Sequence, residues 1–131
     1  MEIRGMYPKL VVEGADAALA FYTAAFGAKV LERFTEPGGR VVHAMAGIGD
    51  LRFAVKDAGD GDPAPSGGGV PVIMALEVTD ADAVAERMLA AGATVIYPVA
   101  DHDYGDGARD RGGRLADPFG HQWMVAAPPR T

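Results

Sequence analysis

The sequence predicts an α+β domain built from two βαβββ modules, and three observations support this prediction. Both halves repeat one pattern: an apolar strand, an Ala-rich helix, a Gly-Ala pair and a β-branched strand. The Gly-Ala pairs begin at residues 27 and 92, so they lie 65 residues apart, about half of the 131-residue chain. Two further strand-like runs follow in each half. A repeat of this length indicates a duplicated supersecondary unit.

Module one is predicted over about residues 5–57. Its first strand contains "LVV", and its helix places Leu19, Tyr22 and Phe26 on one face before Gly27 ends it. The Gly- and Pro-rich stretches 35–39 and 47–50 are typical of turns. They separate three further predicted strands, "AKVLERF", "RVVHAMAGI" and "LRFAV".

Module two is predicted over about 71–128, after a linker at about 58–70 that is rich in Gly, Pro and Asp. Its helix is expected to start with a capping box formed by Thr79 and Asp82 and to end at Gly92. The strands expected after the helix are "ATVIYPV", "GRLAD" and "HQWMVAA". The two modules make residues 1–131 a single domain.

Composition excludes several classes of function. The formal net charge of −6 argues against nucleic-acid binding, which requires a concentrated basic face. The absence of cysteine excludes disulfides and thiolate metal sites. No apolar run approaches membrane-spanning length, and the start lacks an apolar signal region, so we expect a cytoplasmic protein that does not bind membranes.

Two motifs carry a resemblance to a known family: "FYTAAFGAKV" after the first strand and "DPFGHQW" before the last. With the doubled module, they resemble the vicinal oxygen chelate superfamily, which includes glyoxalase I, extradiol dioxygenases and bleomycin-resistance proteins. The resemblance implies a curved mixed sheet around a cleft, usually completed across a homodimer. It also implies, in the metal enzymes, one metal ligand on the first and the last strand of each module.

The resemblance places these four positions at Tyr7, within 51–55, at Ile73 and at Met124. Zinc, nickel, iron and manganese need imidazole or carboxylate ligands, and none of these residues supplies one. The neighbours of Met124, which are Trp123 and Val125, are no better. We therefore predict no metal ligand, no cofactor and no catalytic residue.

Strand alternation predicts which side chains line the cleft. Lys9 and Val11 should share the side of Tyr7, and Ala75 and Glu77 the side of Ile73, while the intervening residues face the helices. His43 is expected in a strand, His102 in a polar loop over 100–113, and His121 at a turn, where it orients the local backbone. The predicted ligand-binding residues are Tyr7, His43, Met45, Phe53, Ile73, His102, Tyr104, Gln122, Trp123 and Met124.

These residues predict a protein that binds and sequesters a small organic natural product, such as an antibiotic, without a metal. An apolar and aromatic lining suits a flat or polycyclic ligand, and the negative net charge would also suit a cationic one. Two alternatives stay open. One is a metal-dependent glyoxalase-like lyase, isomerase or dioxygenase, with ligands such as His43, His121 and Glu77; the other is a metal-free isomerase or cyclase.

Overall fold

The fold consists of two βαβββ modules, as the sequence predicts. The computed structural model describes Glu2 and residues 4–65, 72–103 and 109–129. Module one contains β1 (Lys9–Val12), α1 (Ala15–Phe26), β2 (Lys29–Thr35), β3 (Val41–Ile48) and β4 (Leu51–Asp57). Module two contains β5 (Met74–Glu77), α2 (Ala81–Ala91), β6 (Thr94–Asp103), β7 (Arg109–Ala116) and β8 (Gln122–Ala127). In the described ranges, neither helix is long and apolar enough to cross a membrane.

Each module forms its own four-stranded mixed sheet, in the orders β1-β4-β3-β2 and β5-β8-β7-β6. The first and last strands of a module pair in parallel, and the other neighbours pair antiparallel. One chain therefore contains two sheets rather than the single curved sheet that the resemblance implies.

The helix ends agree with the sequence, but one helix start does not. Gly27 and Gly92 end α1 and α2 with φ of 71° and 118°, the left-handed conformation that glycine adopts without strain. At the start of α2, the Asp80 carboxylate accepts from the Ala83 N–H at 3.1 Å. The predicted capping box that starts at Thr79 is wrong, because the N-cap of α2 is Asp80; the Asp82 carboxylate accepts from Arg111.

A single hydrophobic core lies between the helices and one face of each sheet. Leu10, Val12, Phe53 and Val55 of the first sheet and Leu115, Trp123 and Val125 of the second belong to it, with the buried sides of both helices. The helices also pack against each other. The opposite face of each sheet is turned away from the helices. We call these the first outer face and the second outer face.

Asp117 joins the two modules inside this core. Its side chain accepts from the Tyr22 hydroxyl of α1 at 2.6 Å and from the Trp123 indole N–H at 2.9 Å. Its other carboxylate oxygen accepts from the backbone N–H groups of Phe119 and His121 at 2.9 and 3.0 Å. The residue is almost completely buried. The turn before β8 is therefore fixed to the first helix through one carboxylate.

The ring of His121 contacts β1, so its role differs from the predicted one. His121 Nε2 lies 2.8 Å from the backbone oxygen of Val11. Because a carbonyl oxygen only accepts, Nε2 carries a proton and donates it. The side chain thus links module two to module one, whereas the sequence analysis expected it to orient only the local turn.

We expect the environment of Tyr22 to make the protein less stable at alkaline pH. Burial, together with the Asp117 carboxylate, raises the pKa of Tyr22 far above its ordinary value near 10. The stabilising contribution of the protonated Tyr22 to folding is fully present below pH ~10. Above it, the unfolded chain loses this proton and the folded protein keeps it, so the free energy of unfolding falls by about 1.4 kcal/mol per pH unit.

Urea unfolding of the native protein and of Tyr22→Phe, from pH 8 to pH 11, tests this expectation. The variant should be less stable by about 1 kcal/mol at pH 8, because it lacks one buried hydrogen bond. The two stabilities should converge above pH ~10, where only the native protein carries the extra pH dependence. The half-exposed Tyr7 provides the control Tyr7→Phe. The difference in free energy of unfolding between this variant and the native protein should stay the same from pH 8 to pH 11. Parallel curves for Tyr22→Phe would contradict the explanation.

Strands β6 and β7 extend well into the predicted loop 100–113, and two glycines lie within the second of them. His102 belongs to β6, which reaches Asp103, and β7 is described from Arg109 onwards. A methyl group on Gly112 would approach the backbone oxygen of Val125 to 2.6 Å, and one on Gly113 would approach Val99 N to 2.7 Å. The glycines allow β7 to lie this close to both neighbouring strands.

Candidate ligand-binding site

The first outer face carries aromatic, thioether and basic side chains. Alternation places Lys9 and Val11 of β1 on it, because Leu10 and Val12 between them are in the core. His43 and Met45 of β3 share this face, since Ala44 and Ala46 point to the core. The predicted helix side of β1 is confirmed, because Leu10 and Val12 lie in the core.

Lys9 and His43 are in contact on this face. Lys9 Nζ lies 3.2 Å from His43 Nδ1. Because an ammonium group can only donate, Nδ1 accepts, and the ring proton of the imidazole is on Nε2. Phe34 of β2, which pairs with His43, stacks on the imidazole with ring centroids 6.2 Å apart. These two contacts orient the His43 ring, with Nδ1 towards Lys9.

A mainly apolar cavity of about 770 Å³ lies between β1, at the edge of the first sheet, and β5, and Leu10 from the core side of β1 lines it together with Lys9 and Val11. Its walls include Tyr7, Lys9 and Val11 on one side and Val72 and Met74, next to and within β5, on the other. His121 contributes a polar group. This volume and composition are typical of pockets for organic ligands. Tyr7, just before β1, is half exposed at the edge of the cavity.

The second outer face combines small residues with a few large ones. Ala75, Met124, Arg114 and Tyr97 lie side by side on β5, β8, β7 and β6. The neighbouring positions Gly112 and Ala126 are also small. The side chains of Met124, Arg114 and Tyr97 therefore extend beyond their neighbours on this face. A second cavity, of about 220 Å³, is lined here by Tyr97, His102, Asp110, Gly112, Gly113, Met124, Val125 and Ala126.

Two predicted ligand-binding residues require correction. Phe53 and Trp123 are 4% and 1% exposed and belong to the core, where their rings lie 5.8 Å apart. Trp123 also packs on Phe26 and Tyr22 of α1. Adjacent residues of a strand point to opposite faces, so Trp123 cannot share the outer face with Met124. Neither ring can reach a ligand on an outer face.

The structure divides the remaining predicted residues between the two modules. Tyr7, His43 and the nearly buried Met45 belong to the first, whereas His102, Gln122 and Met124 lie on the second outer face and Ile73 directly precedes β5. Tyr104 lies outside the described residues. The sequence analysis missed Tyr97 and Arg114, although both occur in predicted strands, where alternation relative to Leu115 would have placed Arg114 on the outer face.

Comparison with known families identifies the superfamily. Residues 6–125 match the model of the glyoxalase/bleomycin resistance protein/dioxygenase superfamily. The chain belongs to this superfamily. The glyoxalase/bleomycin resistance match covers both modules, including Tyr7, Met124 and the "DPFG" turn that starts β8.

Relatives of this superfamily member include an uncharacterized protein of Mycobacterium tuberculosis, Rv0887c, which is 40% identical over 129 residues, covering 94% of this chain and 74% of the relative. TioX from Micromonospora sp. ML1 is 25% identical with a TM-score of 0.69, covering 97% and 98% of the two chains. The fosfomycin resistance protein FosX from Listeria monocytogenes, complexed with Mn(II) and a dihydroxypropylphosphonic acid, has a TM-score of 0.71 at 17% identity, covering 98% and 93%. The likeness to FosX concerns the fold.

FosX is complexed with Mn(II), and the corresponding question for this chain is whether its own residues fit a metal ion. Tyr7, Ile73, Met124 and the strand residues 51–55 offer no imidazole and no carboxylate. Nor do the described ranges contain a group of three or more His, Cys, Asp or Glu that could hold a metal ion. First-row metals in proteins usually need three such donors. The side chains of the described ranges therefore do not fit a metal centre of this kind.

Proposed function

We propose that this glyoxalase/bleomycin resistance superfamily protein binds and sequesters a small organic natural product, with antibiotics as the favoured class, and needs no protein-bound metal. The observation that carries the proposal is the mainly apolar cavity of about 770 Å³ between β1 and β5, which Tyr7 and Lys9 help to line. Such a hollow can hold an organic molecule by burial alone. Sequestration of a ligand requires no reacting group, so this function does not depend on metal-ligating side chains.

We further propose that the complete cleft forms across a homodimer. In one chain, both helices and the core separate the two outer faces, so a ligand cannot contact Tyr7 and Met124 from the same sheet. All seven residues of β2 are exposed, among them Leu31 and Phe34, and Ile96 and Tyr97 of β6 are exposed as well. Exposed apolar groups of this kind favour an interface with a second copy. The first outer face of one copy would then oppose the second outer face of its partner.

A complementation experiment tests this arrangement. Calorimetry should first identify the tightest ligand among bleomycins, enediynes, quinones and mitomycins. Tyr7→Ala and Met124→Glu should each weaken its binding at least tenfold, about 1.4 kcal/mol, without unfolding the protein. Mixed dimers of the two variants should recover about half of the native sites, because one of the two shared clefts then contains both native residues.

Several outcomes would contradict the proposal. If both residues belong to one intrachain site, no mixed dimer has an intact site and no binding returns. If both variants bind like the native protein, the ligand lies elsewhere. Leu51→Ala is the control for loss of an exposed apolar side chain, since Leu51 lies on β4 and is two-thirds exposed. Its affinity should equal that of the native protein.

A metal-free isomerase or cyclase is the second candidate. It is favoured by the contact of Lys9 with His43, which leaves the Nε2 proton of an oriented imidazole available to a ligand. Chromatography and mass spectrometry of the ligand after prolonged incubation distinguish the two functions. Sequestration returns the ligand unchanged, whereas an isomerase or cyclase returns a product of the same mass that is absent with His43→Ala.

A further inference from the structure

Arg114 differs from the other partly buried arginines of the described chain. Arg111, three residues earlier and on the opposite face of β7, forms ion pairs with Asp82 and Asp101. Arg40 forms ion pairs with Glu36 and Asp60. In the described residues, by contrast, the Nε atom of Arg114 is buried and has no hydrogen-bond partner. No carboxylate forms an ion pair with Arg114 there.

The guanidinium of Arg114 is nevertheless held in position. It lies over the ring of Tyr97, with Cζ 5.4 Å from the ring centroid. The ring of His102 meets Tyr97 edge-on, at 90° and 6.5 Å between centroids. His102 Nε2 in turn lies 3.1 Å from the backbone oxygen of Gly112. This chain of contacts orients the cation before any ligand arrives, which lowers the entropy lost on binding.

Arg114 lies beside the small cavity on the second outer face without lining it itself. Its neighbours on the second outer face are Tyr97 and Met124, which line the cavity of about 220 Å³. Gly112, on the same face, forms part of the cavity wall without a side chain. Asp110 also lines the cavity and takes part in an interaction of its own. A space of this size would hold one end of an organic molecule.

An unpaired guanidinium that has lost part of its hydration is unfavourable unless an anion replaces the lost water. Carboxylates and related oxyanions do so best, because they accept two parallel hydrogen bonds from the planar guanidinium. We propose that Arg114 binds the oxyanion of an aromatic organic acid, whose ring lies against Tyr97 and Met124. This inference rests on the proposed function and defines the ligand class as anionic, although the chain as a whole is acidic.

Two fluorescent probes that differ by one charged group test the inference. Anilinonaphthalenesulfonate carries a sulfonate, and N-phenylnaphthylamine is its uncharged counterpart. Titration of the full chain should show that Arg114→Met weakens sulfonate binding at least tenfold and changes binding of the neutral probe less than twofold. The control is Arg109→Met, which removes the same charge from the opposite face of β7 and should leave both affinities unchanged.

The inference is overturned if Arg114→Met affects both probes equally or neither, or if the native protein binds neither probe. Circular dichroism and urea unfolding of each variant verify that the fold persists. Failure of the proposed function would look different. In that case no natural product of the panel would bind, while the selective effect of Arg114→Met on the sulfonate would remain.

Discussion

Replacement of Asp117 by alanine is expected to lower the free energy of unfolding by about 3–5 kcal/mol, which is a large part of the stability of a small domain. Four donors converge on this buried carboxylate: the Tyr22 hydroxyl, the Trp123 indole and two backbone N–H groups. Alanine removes both acceptor oxygens and so all four hydrogen bonds, and the enclosed core offers the four donors no other acceptor. Buried donors without a partner retain their full desolvation cost.

Urea unfolding at pH 7 measures the loss of stability in Asp117→Ala, and two further variants serve for comparison. Asp117→Asn keeps the shape of the side chain but replaces one accepting oxygen by a donor. Its free energy of unfolding should therefore lie between that of the native protein and that of Asp117→Ala. Asp50→Ala, in the exposed turn between β3 and β4, should change stability by less than about 0.5 kcal/mol. A loss below 1 kcal/mol for Asp117→Ala would show that the four bonds are not the support we infer.

Replacement of Gly113 by alanine is expected to cost about 3 kcal/mol and to displace β6. The added methyl group would lie 2.7 Å from Val99 N, 2.9 Å from Pro98 C and 3.0 Å from the Tyr97 oxygen. All three are backbone atoms, which cannot rotate away as a side chain can. Overpacking of this kind destabilises proteins by about 1–3 kcal/mol, and a clash with three backbone atoms belongs at the upper end.

The same substitution should affect the second outer face, because Tyr97 moves with β6. We expect Gly113→Ala to weaken the binding of anilinonaphthalenesulfonate at temperatures where the variant is still folded. Gly5→Ala is the matched control, since a methyl group at Gly5 meets no atom within 4 Å. Equal melting temperatures for both variants would contradict the close approach of β6 and β7.

The sequence predicts the fold well because each module repeats the same local signals. The Gly-Ala pairs at 27 and 92 mark the ends of both helices, and the apolar alternation of β1 and β5 identifies the core side correctly. Strands β6 and β7 were predicted too short, because the polar residues and glycines of 100–113 resemble a loop. Their pairing depends on the neighbouring strand, which local composition does not reveal.

The candidate site could be predicted only in part. Alternation identifies Met124 as an outer residue, and the same rule excludes Trp123, which the resemblance alone places among the ligand-binding residues. The division of the site between two faces follows from the packing of α1 on α2, a tertiary contact that no sequence period encodes. Arg114 becomes conspicuous only when the partners of the other arginines are known.

The contact of Tyr22 with Asp117 joins residues 95 positions apart in the chain. A ribosome delivers the chain from its N-terminus, so the first helix emerges long before the carboxylate that accepts from its tyrosine. Until Asp117 has been synthesised, the Tyr22 hydroxyl can form hydrogen bonds only with water. The packing of Tyr22 against Phe53 and Trp123 cannot be completed before that point. Folding during translation should therefore stop at a loose, hydrated first half and complete itself only after the final strand has left the exit tunnel.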